Sequence, residues 1–572
     1  MKVHRVPRIA YRKLRLAIRD WRYAICTTFV LFTVAACAAP AILSPSGSPA
    51  TLFPTPTPTP TPSDLYISAG DVTFYPGPQL YSGDRVTIDV RPRNVGAIPP
   101  GEIGVQVSVD TLAGPTVVAS GGVDYWTFDD IPRARLPWAW DTRGLKGVGV
   151  VTVWLDPADR IQVGDEDPTN NVVTLTVPLL HPSRLPPVEA AASWITRTSD
   201  CCVIHYLSGT AADRDMPAIL ATTDRAVQSV QAQLDARLSQ PLQVYLIDRV
   251  IGQGGYAGAA LALSYLDRDY TAVDLETIMR HEATHVLDRT MGGEAVPSLL
   301  REGLAVWIAG GHYRQEPIPQ RTAAVVELGW YVPLDTLAND FYRQQHEVGY
   351  LEGAALVDYL VETYGREEFL AFYTSFAGAT FDTDAAALDA KLRESFDVGL
   401  EEVEQALRDW LAAHPPTAAQ VRDLQDTVAF FETCRRYQQV YDPAAYFLTG
   451  WLPDPVEGER LGIEADFMRG PRALENIALE TMLIAARRAL DAGAFARAEA
   501  LLDEVNGVLE TGRFAAPLAR AYLEIVQATA SAGYEAQRVE LAGDSARVWA
   551  VAEWPTLVEL TFRRGADGWR GQ

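Results

Sequence analysis

Two histidines four residues apart, with a glutamate directly after the first, stand in the run Asp274-Leu-Glu-Thr-Ile-Met-Arg-His-Glu-Ala-Thr-His-Val-Leu-Asp-Arg289. The run contains no Gly or Pro. Leu275, Ile278, Met279, Val286 and Leu287 recur at the spacing of one buried helix face, which predicts a helix capped by Asp274. On that helix His281 and His285 project from the same face, where their imidazoles can ligate one zinc ion. Glu282 follows His281 directly and stands beside the metal without ligating it. That is the place for a general base acting on water that the metal has acidified. Further on, Pro297-Ser-Leu-Leu-Arg-Glu-Gly-Leu-Ala-Val-Trp-Ile-Ala309 reads as a second helix, with Pro at its start and Gly310-Gly311 at its end. It carries Glu302, 17 residues after His285.

A helix, a short connection and a second helix bearing a carboxylate is the arrangement of the gluzincin superfamily, with thermolysin-like folds. Arg301-Glu302-Gly303-Leu304-Ala305 resembles the Glu-Gly-Leu-Ala signature of the bacterial peptidase MA-like families. The resemblance implies a zinc metallopeptidase in which Glu302 is the third metal ligand beside His281 and His285. In that family a stretch placed like Gly254-Gly255-Tyr256-Ala257, leading into Ala260-Leu-Ala-Leu-Ser-Tyr265, is a sheet-edge strand that pairs with a substrate backbone; an ordinary edge strand is the other reading. Tyr350, in Tyr350-Leu-Glu-Gly-Ala-Ala-Leu-Val-Asp-Tyr-Leu-Val-Glu-Thr-Tyr-Gly365, would begin a family helix and donate a hydrogen bond to the oxyanion. His346 is a rival for that role, and a packed Tyr at a helix start is the plain alternative. Asp288, one turn past His285, either orients a ligand imidazole or is a solvated helix residue. A metzincin would need Gly at 288 and His at 291, where the chain has Asp288 and Met291. The aminopeptidase pattern Gly-x-Met-Glu-Asn is absent upstream. The competing functional readings are a non-catalytic surface binding or adhesion protein with a degenerate protease domain, and a purely structural zinc site.

The elements around these motifs predict a multidomain chain: a β-sandwich, then an α+β thermolysin-like domain, then a helical region and a small terminal β element. Residues 65–180 hold short alternating runs such as Arg85-Val-Thr-Ile-Asp-Val-Arg and Val105-Gln-Val-Ser-Val-Asp between Gly, Pro and Asn-Asn turns, which argues a sandwich. Arg93-Asn-Val-Gly96 and Trp154 to Asn171 resemble an Ig-like CARDB module, a spacer or adhesion domain. Its acidic Asp165, Glu166 and Asp167 either bind calcium or form a solvated loop with an Asn-capped turn. Residues 186–415 are the metallopeptidase domain, with strands at Val203–Tyr206 and Leu242–Ile247, a helix over Ala218–Leu238, and further helices from about Asn339 to Ala413. Residues 416–534 are helical, and Ile484 to Leu502 looks like a helix pair of the tetratricopeptide type, too few for a repeat array. Residues 535–572 have β character. Partner binding and packing on the protease domain are both open for these last two parts.

The chain of 572 residues, 48% apolar and 21% charged, is long enough for several cores. Residues 1–37 carry eight Lys and Arg against one Asp, so the part after Cys37 is more acidic than the overall net charge of −24. Such a chain repels phosphates, which excludes nucleic acid as a partner. The basic start, the apolar stretch from Tyr23 to Val34 and Val34-Ala-Ala-Cys37 make an export-signal pattern, and the last four residues resemble a bacterial lipobox. Residues 1–37 are therefore read as a lipoprotein-type anchor, or else as an uncleaved signal-anchor helix. Both place the remainder outside the cytoplasm on a membrane. Residues 38–64 form a Pro/Thr-rich linker that extends rather than packs. Three cysteines remain: Cys434 bridges to Cys201 or Cys202, or all three are free thiols. The expected partners are a peptide or protein substrate and the membrane, and the expected cofactor is Zn2+.

Overall fold

The computed structural model describes residues 64–572, apart from residues 78, 94–97, 99–100, 112–113, 126–131, 162–163, 272, 379–380, 447–453, 553, 567 and 572. The expected anchor at 1–37 and all of the linker but its last residue lie outside the described residues. No described helix is long and apolar enough to cross a membrane.

Residues 72–180 build two sheets. One runs in the order β1 (Val72–Tyr75), β3 (Arg85–Val90), β7 (Pro132–Asp141), β6 (Asp124–Tyr125). The other runs β2 (Leu80–Tyr81), β9 (Val172–Leu180), β8 (Val148–Leu155), β4 (Gly104–Thr111), β5 (Gly114–Gly122). The alternation read from the sequence is the burial pattern observed. Val86, Ile88 and Val90 of the first sheet share one core with Val105, Val107, Val109, Val151 and Val153 of the second. The acidic loop is a structural turn. Asp167, not an asparagine, caps the short helix Pro168–Asn170, and Asp64 accepts hydrogen bonds from the backbone N–H of Glu166 and Asp167. The cluster of ligand-type side chains found among the described residues lies elsewhere.

The site domain is built on a mixed sheet in the order β10 (Trp194–Thr198), β11 (Cys202–Leu207), β12 (Leu242–Ile247), β14 (Leu261–Ser264), β13 (Gly255–Ala257). β11, β12 and β14 are mutually parallel, while β10 and β13 are antiparallel edges. Helix α1 (Ala211–Leu234) makes the crossover from β11 to β12. It starts earlier than the sequence suggested because Pro217 is carried inside it, and it stops earlier because Asp235 turns left-handed with φ 50°. Then come α2 (Leu275–Thr290), α3 (Ser298–Ala309), α4 (Ile318–Glu327) and α5 (His346–Tyr364). The cap at Asp274 is present, its carboxylate accepting from the N–H of Thr277 at 2.9 Å. Gly310 ends α3 in the left-handed region, φ 81°.

Helices α3 and α5 cross with their backbones in contact, and this crossing sets the position of the Glu302 helix. A Cβ on Gly303 would stand 2.3 Å from the carbonyl oxygen of Gly353, and one on Gly353 would stand 2.7 Å from that of Leu299. The Gly of the Glu-Gly-Leu-Ala stretch is thus a packing requirement, since only a residue without a side chain admits the approach.

Beyond 415 the chain does not form an independent unit. Helices α6 (Ala418–Tyr441), α7 (Leu474–Asp491), α8 (Phe495–Thr511) and α9 (Pro517–Ser531) lead to an antiparallel sheet of β15 (Glu535–Ala542), β16 (Ser545–Val551), β17 (Leu557–Gly565) and β18 (Gly568–Gly571). The expected helix pair is α7 with α8. Their apolar faces share a core with Val250, Tyr270 and Tyr313 of the site domain. Buried Arg268 pairs with Glu480 and Glu535 across the same junction. Arg469 similarly holds Asp84 of the first module and Glu189. The cysteines correct both expectations, a bridge from Cys434 and three free thiols: Cys201 is bonded to its neighbour Cys202, and Cys434 is a buried free thiol.

Substituting Gly303→Ala should force α3 and α5 apart and cost about 1–3 kcal/mol. This is expected as a lower urea midpoint than wild type, whereas an unchanged midpoint would show that the crossing tolerates a side chain.

Candidate metal centre and cleft

Helix α2 delivers His281 and His285 from consecutive turns, and α3 brings Glu302 against them. The two Nε2 atoms are 3.1 Å apart. Glu302 Oε2 is 3.5 Å from His281 Nε2 and 3.2 Å from His285 Nε2. Four donors around a tetrahedral zinc at bond lengths of ~2.0–2.1 Å are separated by about 3.3 Å. The three atoms therefore have the spacing of one face of such a tetrahedron, and imidazole with carboxylate is a donor set that suits zinc. The residues fit the ion that the sequence implies.

Glu302 is held from behind, and Glu302 and Glu282 are shifted by their surroundings. Tyr342 donates its hydroxyl to the second oxygen of Glu302 at 2.7 Å, and Arg301 reaches that hydroxyl. Burial alone would raise the Glu302 carboxyl. His285 and hydrogen bonds from both imidazoles outweigh it and hold the group well below the usual carboxylate range. Glu282, beside the triad but outside it, is buried. Burial pushes its carboxyl up to about 7, with His281 and Arg289 opposing and Glu302 adding to the rise. A base near neutrality can both take and return a proton at physiological pH.

Tyr350 lines the same cleft, but it is not at a helix start: α5 begins at His346, and Tyr350 lies in its second turn. Its ring stacks on His312 at 4.5 Å between centroids and lies 6.2 Å from the ring of His281. Burial holds its hydroxyl well above the ordinary phenol range, so it remains a donor at neutral pH. His346 also lines the cleft. Burial pushes its imidazole down to about 4, leaving it neutral. Both residues weighed for the oxyanion are thus brought to the cleft as neutral hydrogen-bonding groups. Asp288 is fully buried rather than solvated, against Gly293 and near Tyr373, and makes no hydrogen bond to His285.

The edge strand is where the motif suggested. Gly255, Tyr256 and Ala257 of β13 form one wall of a cleft of about 390 Å³ whose floor is the triad and Glu282. Residues that the sequence did not single out complete the cleft. His312 follows the Gly310-Gly311 stop of α3 and presses between Tyr350 and Tyr313. The Tyr313 hydroxyl lies within hydrogen-bond distance of Gln253, at 2.6 Å, and of Glu347, at 3.2 Å, sharing its one proton between them. Arg435 of α6 grips Glu347 through both guanidinium nitrogens, at 2.9 and 3.1 Å. The same helix fixes the loop before β13, Gln438 donating to the carbonyl of Gly252 at 2.7 Å. These contacts span long sequence separations, and the adjacency of His312 to the Gly-Gly stop was the one local sign available.

No known protein family matches the chain, and no curated protein does. Among solved structures it is similar to the M1 zinc metallopeptidase from Deinococcus radiodurans, at 14% identity and TM-score 0.26 over 61% of this chain and 92% of that one. It is similar to yeast LTA4 hydrolase in complex with Bestatin at 11% identity and TM-score 0.31, over 82% of this chain and 98% of that one. A functionally unknown conserved protein from Bacillus anthracis gives 12% identity and TM-score 0.25, over 61% and 80%. Likeness at this level carries no argument about the site, whose chemistry rests on its own side chains.

The Tyr342 hydroxyl fixes which oxygen of Glu302 faces the histidines. Tyr342→Phe is expected to weaken zinc binding by about 10–100-fold, measured by competition with a chromogenic chelator. Unchanged affinity would show that Glu302 is positioned by packing alone.

Proposed function

We propose that this protein is a zinc-dependent peptidase that hydrolyses peptide bonds in extended segments. The observation that carries this reading is the triangle of His281 Nε2, His285 Nε2 and Glu302 Oε2 at tetrahedral-edge spacing, with a buried carboxylate, Glu282, beside it in an open cleft. Bound zinc would supply Lewis-acid chemistry, acidifying water and polarising a carbonyl. Glu282 accepts a proton from the attacking water and returns it to the departing amine. Tyr350, or its rival His346, would hydrogen-bond the oxygen on which charge develops; both line the cleft as neutral groups. The edge strand β13 offers backbone groups along which a peptide lies extended.

The same reading places the enzyme outside the cytoplasm, held to the membrane through residues 1–37, with residues 38–64 as spacer and the module at 65–180 as an Ig-type domain of the CARDB kind. The sequence pattern of those segments supports this. The acid-rich composition fits a soluble body that avoids nucleic acid.

Metal analysis is expected to give about one zinc per chain. Against a mixed peptide library, Glu282→Gln should keep the zinc and lose turnover by at least about 100-fold. Equal turnover in the variant would contradict the role of Glu282. Zinc retained with no cleavage by wild type would instead favour a binding protein with a degenerate protease domain.

A further inference from the structure

Arg289, in the last turn of α2, closes one end of the edge strand. Its Nη1 donates to the carbonyl of Gly258 at 3.0 Å and its Nη2 to that of Ala257 at 3.1 Å. The side chain is exposed and lines the cleft. A guanidinium has five N–H donors, so the two bonds to the strand leave donors over. Among the described residues no carboxylate forms an ion pair with Arg289, although the chain is strongly acidic and most of its arginines are paired. The other cleft arginine, Arg301, is turned to Ser298 and Tyr342 behind Glu302.

The strand ladder shows what lies beside this cation. Ser264 donates to the carbonyl of Gly254, Gly258 donates to that of Ala260, and Tyr256 is opposite Ala262. Alternation in an antiparallel pair then turns the N–H and C=O of Gly255 and Ala257 toward the open edge. Arg289 occupies the Ala257 carbonyl, which limits backbone pairing to the groups before it. A peptide laid along β13 thus brings one of its residues against a fixed guanidinium that forms no ion pair among the described residues.

We propose that Arg289 selects substrate by receiving a carboxylate, from an acidic side chain or a free C-terminus, at the Ala257 end of the edge strand. This rests on the peptidase reading for its substrate class, and it is tested by binding, independently of turnover. In a Glu282→Gln background, fluorescent alanine-based peptides are titrated at low ionic strength. One set is C-terminally amidated with Asp or Lys scanned through each position, and another is neutral with a free C-terminal carboxylate. At one position Asp is expected to bind roughly tenfold tighter than Lys. Arg289→Glu should reverse that order and Arg289→Lys should keep it, with zinc content reporting that the centre is intact in each. If only the free C-terminus shows the preference, and Arg289→Glu abolishes it, the carboxylate is terminal. A preference that survives Arg289→Glu, equal binding of acidic and basic peptides, or no binding of either, overturns the assignment. Cleavage by wild type, with its dependence on Glu282, separately decides the peptidase reading.

Discussion

Three donor atoms within 3.5 Å of one another, two of them imidazole nitrogens, are an arrangement that the fold must hold against the cost of desolvation. Much of the site domain can be understood as meeting that constraint. Helix α2 fixes the two histidines by its own periodicity. Helix α3 must then come close enough for a short carboxylate side chain to reach them. The bare crossing of Gly303 on Gly353 locks α3 to α5, and Tyr342 decides which oxygen of Glu302 faces inward. The convergence of three donor atoms of zinc-suited type at tetrahedral-edge spacing is what points to a metal rather than to an ordinary buried polar cluster.

Support for the cleft reaches past the domain that carries the chemistry. Arg435, Glu347, Tyr313 and Gln253 form a continuous chain from α6 to the loop before the edge strand, and Gln438 holds that loop by its backbone. Tyr313 itself stacks on Phe431 of α6 at 3.8 Å. The helices beyond 415 therefore brace, from outside the cleft, residues that line it such as Gly252 and Tyr313. Arg268 and Arg469 extend the same junction to the terminal sheet and to the first β module through buried ion pairs. Buried pairs of this kind fix one arrangement because removing a partner leaves a charge without compensation.

What the sequence made legible was local. While the edge strand was expected from the family resemblance, the metal helix, its Asp274 cap and the second helix between Pro297 and Gly310 follow from spacing and turn chemistry within a few residues. The sandwich-like alternation of Val86, Ile88 and Val90 follows in the same way. Tyr342, the stacking of His312, the reach of Arg435 and the grip of Arg289 on the strand were not legible, because each depends on elements that meet only in the folded chain. The cysteines show the same limit: three thiols without a partner pattern left a long-range bridge or three free thiols open, while Cys201 bonds to its neighbour and Cys434 is enclosed by the core of α6 and α7. Tyr350 lines the cleft, but the helix it was expected to open begins one turn earlier at His346.

The central proposal is that, among the described residues, His281, His285 and Glu302 would hold the metal and leave a position open. Zinc K-edge X-ray absorption on the zinc-loaded protein tests this directly. The account expects two imidazole nitrogens and one carboxylate oxygen, with a further light atom from water, all at ~2.0–2.2 Å and no sulfur. A sulfur scatterer, four protein ligands, or a shell that is unchanged in Glu302→Ala would contradict it.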